Sequence, residues 1–282
     1  MSDARSKVLI SARDLAARRE AGEKIVVLEV RDERATEAAE RMFAPMAIAT
    51  CLDTDYSGPA TRDGGKRPLP GIAGFQAKVR EWGVDNDALV VVYDNAAGAQ
   101  ASRAWWTFRW AGFANVRILD GGFAGWRGAG FPEANSALQP PGGGDAVLSP
   151  GHMPTLDADQ AAALAKSGGL LDARGRAAYV GAPAEAGKPK TGHIPGALSA
   201  PSSDGVAANG HFKTADELRG WFDALQGDEA APLGLYCGSG NAASHLMAAL
   251  HVAGREAALY VGSWSAWSAD PDRPAATGLE PG

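Results

Sequence analysis

The sequence predicts an α/β protein of two tandem domains, each a mainly parallel sheet flanked by helices on both faces. Three observations predict it. Continuous apolar runs of four to six residues alternate with helical stretches, the pattern of strands buried on both faces. Residues 89–126 and 233–267 carry the same order of elements. A Pro/Gly-rich stretch, 132–151, separates them and has little periodicity, as a linker would.

The elements follow in order. IVVLEVRDERA (25–35) and GLLDARGRAAY (169–179) are each a short apolar strand ending in an acidic residue and then Arg. LVVVYD (from 89) and LGLYC (from 233) are apolar strands ending in Tyr and one polar or reactive residue. A small-residue loop follows each, then a helix ending at Ala111-Gly112 or Ala253-Gly254. Another apolar strand, a glycine turn and a Trp complete both halves. Duplication of one α/β unit accounts for three elements repeating in register. The expected boundaries are 1–135, a linker over 136–151, and 152–282.

Composition narrows the function. With 45% apolar and 21% charged residues among 282, the chain is ordinary globular protein with enough length for a full core. The net charge of −6 gives no global basic field for nucleic acid or an anionic membrane. No apolar run reaches the ~20 residues of a spanning helix. The first twenty residues lack an apolar h-region, so no secretory signal is expected. Two distant cysteines, Cys51 and Cys237, make no disulfide framework. A cytoplasmic, reducing compartment is therefore expected.

The chemistry concentrates in LYCGSGNAA (235–243). A buried structural cysteine needs no glycines around it. Cys237 ends a strand at the edge where open parallel sheets place their sites. Gly238, Ser239, Gly240, Asn241, Ala242 and Ala243 are small or neutral. Such a loop lets backbone N–H groups turn inward as a cradle for negative charge. The following helix adds its positive end. Both favour the thiolate, the nucleophilic form of Cys237. A cysteine-phosphatase loop needs Arg at position 243 to grip the phosphoryl group, and Ala stands there. Zinc-ligand spacing is absent, and Gly240 takes the place of the second cysteine in C-x-x-C. No metal and no cofactor are expected.

These motifs resemble the tandem-domain rhodanese sulfurtransferases. CGSGNAA is similar to the loop of the 3-mercaptopyruvate sulfurtransferases, whereas thiosulfate-preferring members more often carry basic residues in that loop. LLDAR (170–174), GHIPGA (192–197), VVVYD, ASRAWW, ILDGGFAGW (118–126) and YVGSWSAW (260–267) extend the resemblance over nearly the whole chain. It implies two rhodanese-like domains. The first is inactive, with Asp94 at the cysteine-equivalent place. The second carries sulfur from 3-mercaptopyruvate or thiosulfate as a Cys237 persulfide. The acceptor is cyanide, a thiol or a thioredoxin-like reductant, and neither nucleic acid nor membrane is a partner.

The sequence departs from the resemblance in three places. Phe43 falls where relatives have His, and Glu29 stands for Asp, which leaves Ser239 without the partners of a serine triad. Ala178 replaces a donor-binding Arg, and Arg176, Lys188, Lys190 and Arg103 are the candidates to bind the donor instead. Lys lacks the bidentate fork of Arg. Asn241-Ala242 replaces Val-Thr, and Asn tolerates unusual backbone angles while offering a hydrogen-bonding amide. Two other readings stay open: a persulfide relay fed by a protein partner, and a non-catalytic binding or regulatory protein on the same fold.

The remaining polar residues read as structural. His193 is expected at a tight turn marked by Pro195 and Gly196, and His245 on a helix face. Asp172–Arg174 and Glu29–Arg31 are expected ion pairs. Cys51 is expected to be a buried free thiol. Trp105, Trp106, Phe108 and Trp110 are expected in packing, with Gln100 and Trp264 near the site.

Overall fold

A computed structural model describes residues 2–32, 42–182, 189–226 and 231–282. The chain forms two compact units. One comprises Met1–Gly58, Pro70–Met153 and Val206–Phe212, the other Pro59–Leu69, Pro154–Gly205 and Lys213–Gly282.

The first unit holds β1 (Leu9–Ile10), β2 (Ile25–Arg31), β3 (Ala47–Cys51), β4 (Leu89–Tyr93) and β5 (Val116–Leu119), in the order β1-β5-β4-β2-β3. Every pairing is parallel. All five residues of β4 are buried, which is why its side chains do not alternate between apolar and polar. Around Leu15, Val27, Val91 and Tyr93 one core cluster forms. Tyr56, Phe75, Trp82 and Phe108 build an aromatic group with ring centroids 5.3 to 6.4 Å apart. The helix Ala101–Trp110 buries every residue except Arg109, so Trp105, Trp106 and Trp110 belong to this unit's packing.

The second unit holds β6 (Thr155–Leu156), β7 (Leu170–Asp172), β8 (Leu198–Ser199), β9 (Gly234–Tyr236) and β10 (Ala258–Tyr260). Its order, β6-β10-β9-β7-β8, repeats the first sheet with every pairing parallel. The repetition reaches single hydrogen bonds. Phe43 exchanges backbone bonds with Ala134, and His193 exchanges them with Ala276. Ala44 N–H donates to the Tyr93 hydroxyl at 3.2 Å, and Ile194 N–H to the Tyr236 hydroxyl at 3.1 Å. The Trp126 indole donates to Pro132 O at 2.8 Å and the Trp267 indole to Pro274 O at 2.7 Å. One ancestral unit, written twice, explains a match at this resolution.

Two features refine the expected division. Residues 136–151 are bonded to the first unit. Leu138, Gly142, Gly144 and Ala146 donate backbone bonds to Ala47, Glu81, Arg80 and Val84, and Ala146 and Leu148 are buried. Proline and glycine there set the path of a strap on the first unit. The boundary near residue 135 is also incomplete, because 59–69 belongs to the second unit and 206–212 to the first. No helix among the described residues is long and apolar enough to cross a membrane.

Candidate active site

Cys237 directly follows β9, a central strand of its sheet. The carboxyl ends of parallel strands are where such sheets form sites. The strand stops because Gly240 turns the chain with φ +95° and caps the helix Asn241–Ala253. A side chain at that φ costs energy that glycine avoids. This turn brings the Gly240 N–H to 3.1 Å from Cys237 Sγ, as donor to sulfur. Ser244 N–H already bonds Gly240 O. The first-turn amides of Asn241, Ala242 and Ala243 therefore face the loop without an intrahelical acceptor.

The loop is fixed from a second side by the turn after β10. Trp264 N–H donates to Cys237 O at 2.8 Å and Ser265 N–H to Gly238 O at 3.0 Å. Ser263 has φ +52° and is fully buried. Its Oγ donates to Tyr260 O at 2.9 Å and accepts the Cys237 N–H at 3.3 Å. Ser244 Oγ donates to Gly240 O at 2.8 Å. Cys237 is 2% exposed, while Gly238, Ser239, Asn241 and Ala242 around it are half-buried. Asn241 Oδ1 is buried and accepts no hydrogen bond among the described residues.

The equivalent loop in the first unit shows what this architecture holds. Asp94 is fully buried. Its Oδ1 accepts N–H bonds from Ala96 and Gly98 at 2.8 and 2.9 Å. Its Oδ2 accepts them from Gln100 and Ala101 at 2.6 and 2.8 Å. Phe123 N–H bonds Asp94 O at 3.0 Å, as Trp264 N–H bonds Cys237 O. The loop at the equivalent place in the other sheet thus encloses a carboxylate with backbone amides, and that carboxylate is the chain's own.

The flanking polar residues are structural. Arg174 forks Asp172, with Nε 2.9 Å from Oδ1, donates Nη2 to Gly192 O at 2.7 Å, and lies over the Trp264 ring at 4.7 Å. Burial opposes its charge, but the hydrogen bonds and charge of Asp172 prevail and hold the guanidinium above its ordinary value. The Tyr236 hydroxyl is pushed well up by burial and by Asp172. Glu29–Arg31 is the first unit's version. His193 is fully buried, stacked 3.8 Å from Tyr179, with Nδ1 2.9 Å from Tyr179 O. His245 is buried in its helix. Cys51 is a free thiol but, at the end of β3, is half-buried rather than buried as expected.

The structure describes three of the four expected donor-binding residues. Lys190 spends its ammonium on the carbonyls of Asp270, Pro271 and Arg273 at 2.5, 3.0 and 2.5 Å. Arg103 is fully buried in the first unit with its guanidinium 5.7 Å from the Trp106 ring. Arg176 is exposed at the start of the helix Arg176–Val180. Lys188 lies outside the described residues. Phe43 occupies the first unit's counterpart of the His193 turn, under Arg31 at 4.6 Å. Within the second unit, Arg67 Nη1 donates to Ser239 Oγ at 3.4 Å. Arg67 and Ser263 are the residues that sequence reasoning missed. Only the basic pair before Pro-Leu-Pro at 66–70, and a Ser where the other repeat has Gly122, could have flagged them. Among the described residues no cluster of His, Cys, Asp and Glu fits a metal ion.

The likeness to known proteins runs over nearly the whole chain. The rhodanese-like domain matches twice, over residues 11–129 and 157–270. The chain is 40% identical to a Mycobacterium tuberculosis protein named "Putative thiosulfate sulfurtransferase SseB", covering 98% of this chain and 99% of that one. It is 37% identical to a Pseudomonas aeruginosa protein named "Probable 3-mercaptopyruvate sulfurtransferase", covering 97% and 99%. Among solved structures, the anaerobic ergothioneine biosynthesis enzyme from Chlorobium limicola superposes with a TM-score of 0.80 at 22% identity, over 97% of this chain and 71% of that one. The 3-mercaptopyruvate sulfurtransferase from Leishmania major gives 0.76 at 21%, over 92% and 73%. At those identities the two structures share the fold.

Proposed function

The chain belongs to the rhodanese-like family, and from that premise we propose that it is a sulfurtransferase whose Cys237 carries sulfane sulfur as a persulfide. The observation that carries this reading is the Gly240 N–H on Cys237 Sγ at 3.1 Å, in a loop whose first-unit counterpart binds a carboxylate with four amides. A site built for an anion suits both the attacking thiolate and the persulfide that replaces it.

The chemistry balances for either donor. With thiosulfate, the Cys237 thiolate attacks the outer sulfur, the S–S bond breaks, and sulfite leaves with the electron pair. With 3-mercaptopyruvate, the same attack breaks the C–S bond. The electron pair passes into the pyruvate enolate, and the proton of the donor thiol ends on its carbon. Cys237 becomes Cys–S–S⁻ in both cases. Cyanide, a small thiolate or a protein thiolate then attacks the outer sulfur and restores the Cys237 thiolate. This is covalent catalysis in two half-reactions. The neutral loop favours 3-mercaptopyruvate over thiosulfate, and a reducing cytoplasm suits two free thiols.

Steady-state thiocyanate formation tests the reading. Double-reciprocal plots at several cyanide concentrations are expected to be parallel, and Cys237→Ser to give no turnover. Full activity in that variant with both donors would overturn it. A partner-fed relay is the second reading, favoured by the engagement of Lys190 with backbone carbonyls. It predicts poor turnover of both small donors together with capture of a protein donor by Cys237.

A further inference from the structure

We propose that the first unit carries a binding site of its own for a small molecule with a phosphate- or sulfate-type head, held by Arg117 and Arg18. The site is a cavity of about 350 Å³ beside the edge strand β1, where β4 and β5 begin. Leu9 and Leu89 line its apolar side, and Asp14, Arg18, Asn115 and Arg117 its polar side. It lies at the opposite end of β4 from Asp94, so it is separate from that loop. Its volume falls in the range that takes small ligands.

Arg117 is half-buried, and every acceptor it has among the described residues is a carbonyl. Its Nε donates to Ser6 O at 2.6 Å, and its Nη1 to Val116 O at 2.9 Å and Ala114 O at 3.4 Å. Nη2 is left for a ligand. Burial, and then the charges of Arg109 and Arg18, pull the guanidinium below its ordinary value. A charge withdrawn from water without an ion partner is costly, and like charges beside it raise the cost. Arg18, on the helix Ala12–Glu20, is exposed, and its Nη1 meets the exposed Glu23 at 3.0 Å. Solvent makes such a pair weak. Asp14, one turn earlier on that helix, lines the same cavity and pairs with neither arginine. Its Oδ2 accepts the Ser11 hydroxyl at 2.7 Å. At the Asp94 loop the chain supplies the anion itself. Here it gathers the cations and pairs no carboxylate of its own with Arg117. An oxyanion entering the cavity takes charge-assisted bonds from the planar guanidinium and relieves the repulsion.

The test is calorimetric titration of the full-length protein with inorganic phosphate and with phenyl phosphate at constant ionic strength. Wild type is compared with Arg117→Gln, Arg18→Gln and Asp14→Asn. Arg117→Gln is expected to weaken phosphate binding about 10-fold or more, and Arg18→Gln to weaken it less. Asp14→Asn should tighten it, because a carboxylate no longer faces the anion. Arg117→Gln also frees three carbonyls, so Arg18→Gln, whose side chain bonds only Glu23, is the decisive variant. Its Tm without phosphate should equal or exceed that of wild type, since a repelling charge is gone. Its gain in Tm on adding phosphate should be smaller than that of wild type. An arginine that only braced the fold would not give that split. Either order of the two probes supports the proposal: tighter phenyl phosphate assigns the rest of the cavity to an organic body, and equal binding assigns the site to the free oxyanion. Saturable phosphate binding left unchanged by Arg18→Gln and Asp14→Asn would place the ion elsewhere, the Cys237 loop included, and overturn the proposal. Absence of saturable binding, or the same stabilisation by chloride at matched ionic strength, would overturn it as well.

Discussion

Ser263 holds a left-handed backbone at φ +52°, a conformation that costs a non-glycine residue energy. Its return is the hydroxyl that accepts the Cys237 N–H. Ser263→Ala keeps the backbone strain and leaves that buried amide unpaired. The expected loss is about 1–3 kcal/mol, read from the urea midpoint at unchanged m, with slower sulfur loading. Ser263→Gly relieves the strain and should lose less. The five tyrosines give a pH prediction at the same scale. Burial is the largest cause raising each of them: Tyr260 to about 12, Tyr179 above its ordinary value, and Tyr56, Tyr93 and Tyr236 far up. The folded state therefore keeps protons that the unfolded chain releases near its ordinary value of about 10. This stability is fully present below that pH and is lost as pH rises toward the folded values. Absorbance at high pH should show almost no tyrosinate in native protein at pH about 10, and a cooperative step on alkaline unfolding. Free titration of the tyrosines in folded protein would contradict the burial. The loop geometry around Cys237 was legible because it is local: strand end, small residues and helix start are contiguous in sequence. Arg67 was not, because nothing near residue 67 encodes a contact 172 positions away.

Elements carry the contrast between the repeats. The loop after β4 places an acid where the loop after β9 places a thiol, and the acid satisfies its own amides. Asp94→Ala should lower stability by at least about 2 kcal/mol, since buried donors lose a charged acceptor, while the Cys237→Ser background remains unable to take sulfur. Thermal melts and intact mass check the two halves of that statement. The segment 59–69 supplies the second element-scale prediction. Gly65→Ala meets both a positive φ and a backbone carbonyl, so it should undock this segment from the turn after β10, which bonds the Cys237 and Gly238 carbonyls, and slow sulfur loading. Wild-type loading in Gly65→Ala would show that the segment does not brace the loop. The strands themselves were readable from their apolar runs. The path of 136–151 was not, since proline and glycine look the same in a free linker and in a strap bonded to Ala47, Glu81 and Val84.

At the scale of the whole molecule, the duplicated sheet order was foreshadowed by 89–126 and 233–267, because burial on both faces forces the same apolar runs in both copies. The segment exchange had no such signature. Residues 59–69 and 206–212 carry turns rather than periodic patterns, and each folds with the unit of the other half. The exchange predicts one cooperative urea transition, coincident by tryptophan fluorescence and far-UV circular dichroism. Two separated transitions would show that the units unfold independently. The central claim concerns one sulfur atom on one residue. The most direct measurement is intact mass of reduced protein after brief exposure to 3-mercaptopyruvate or thiosulfate, followed by peptide mapping, with Cys237→Ser alongside. The account predicts a gain of one sulfur, on the peptide containing Cys237, reversed by cyanide and absent in the variant. Sulfur found on Cys51, or an equal gain in Cys237→Ser, would contradict it.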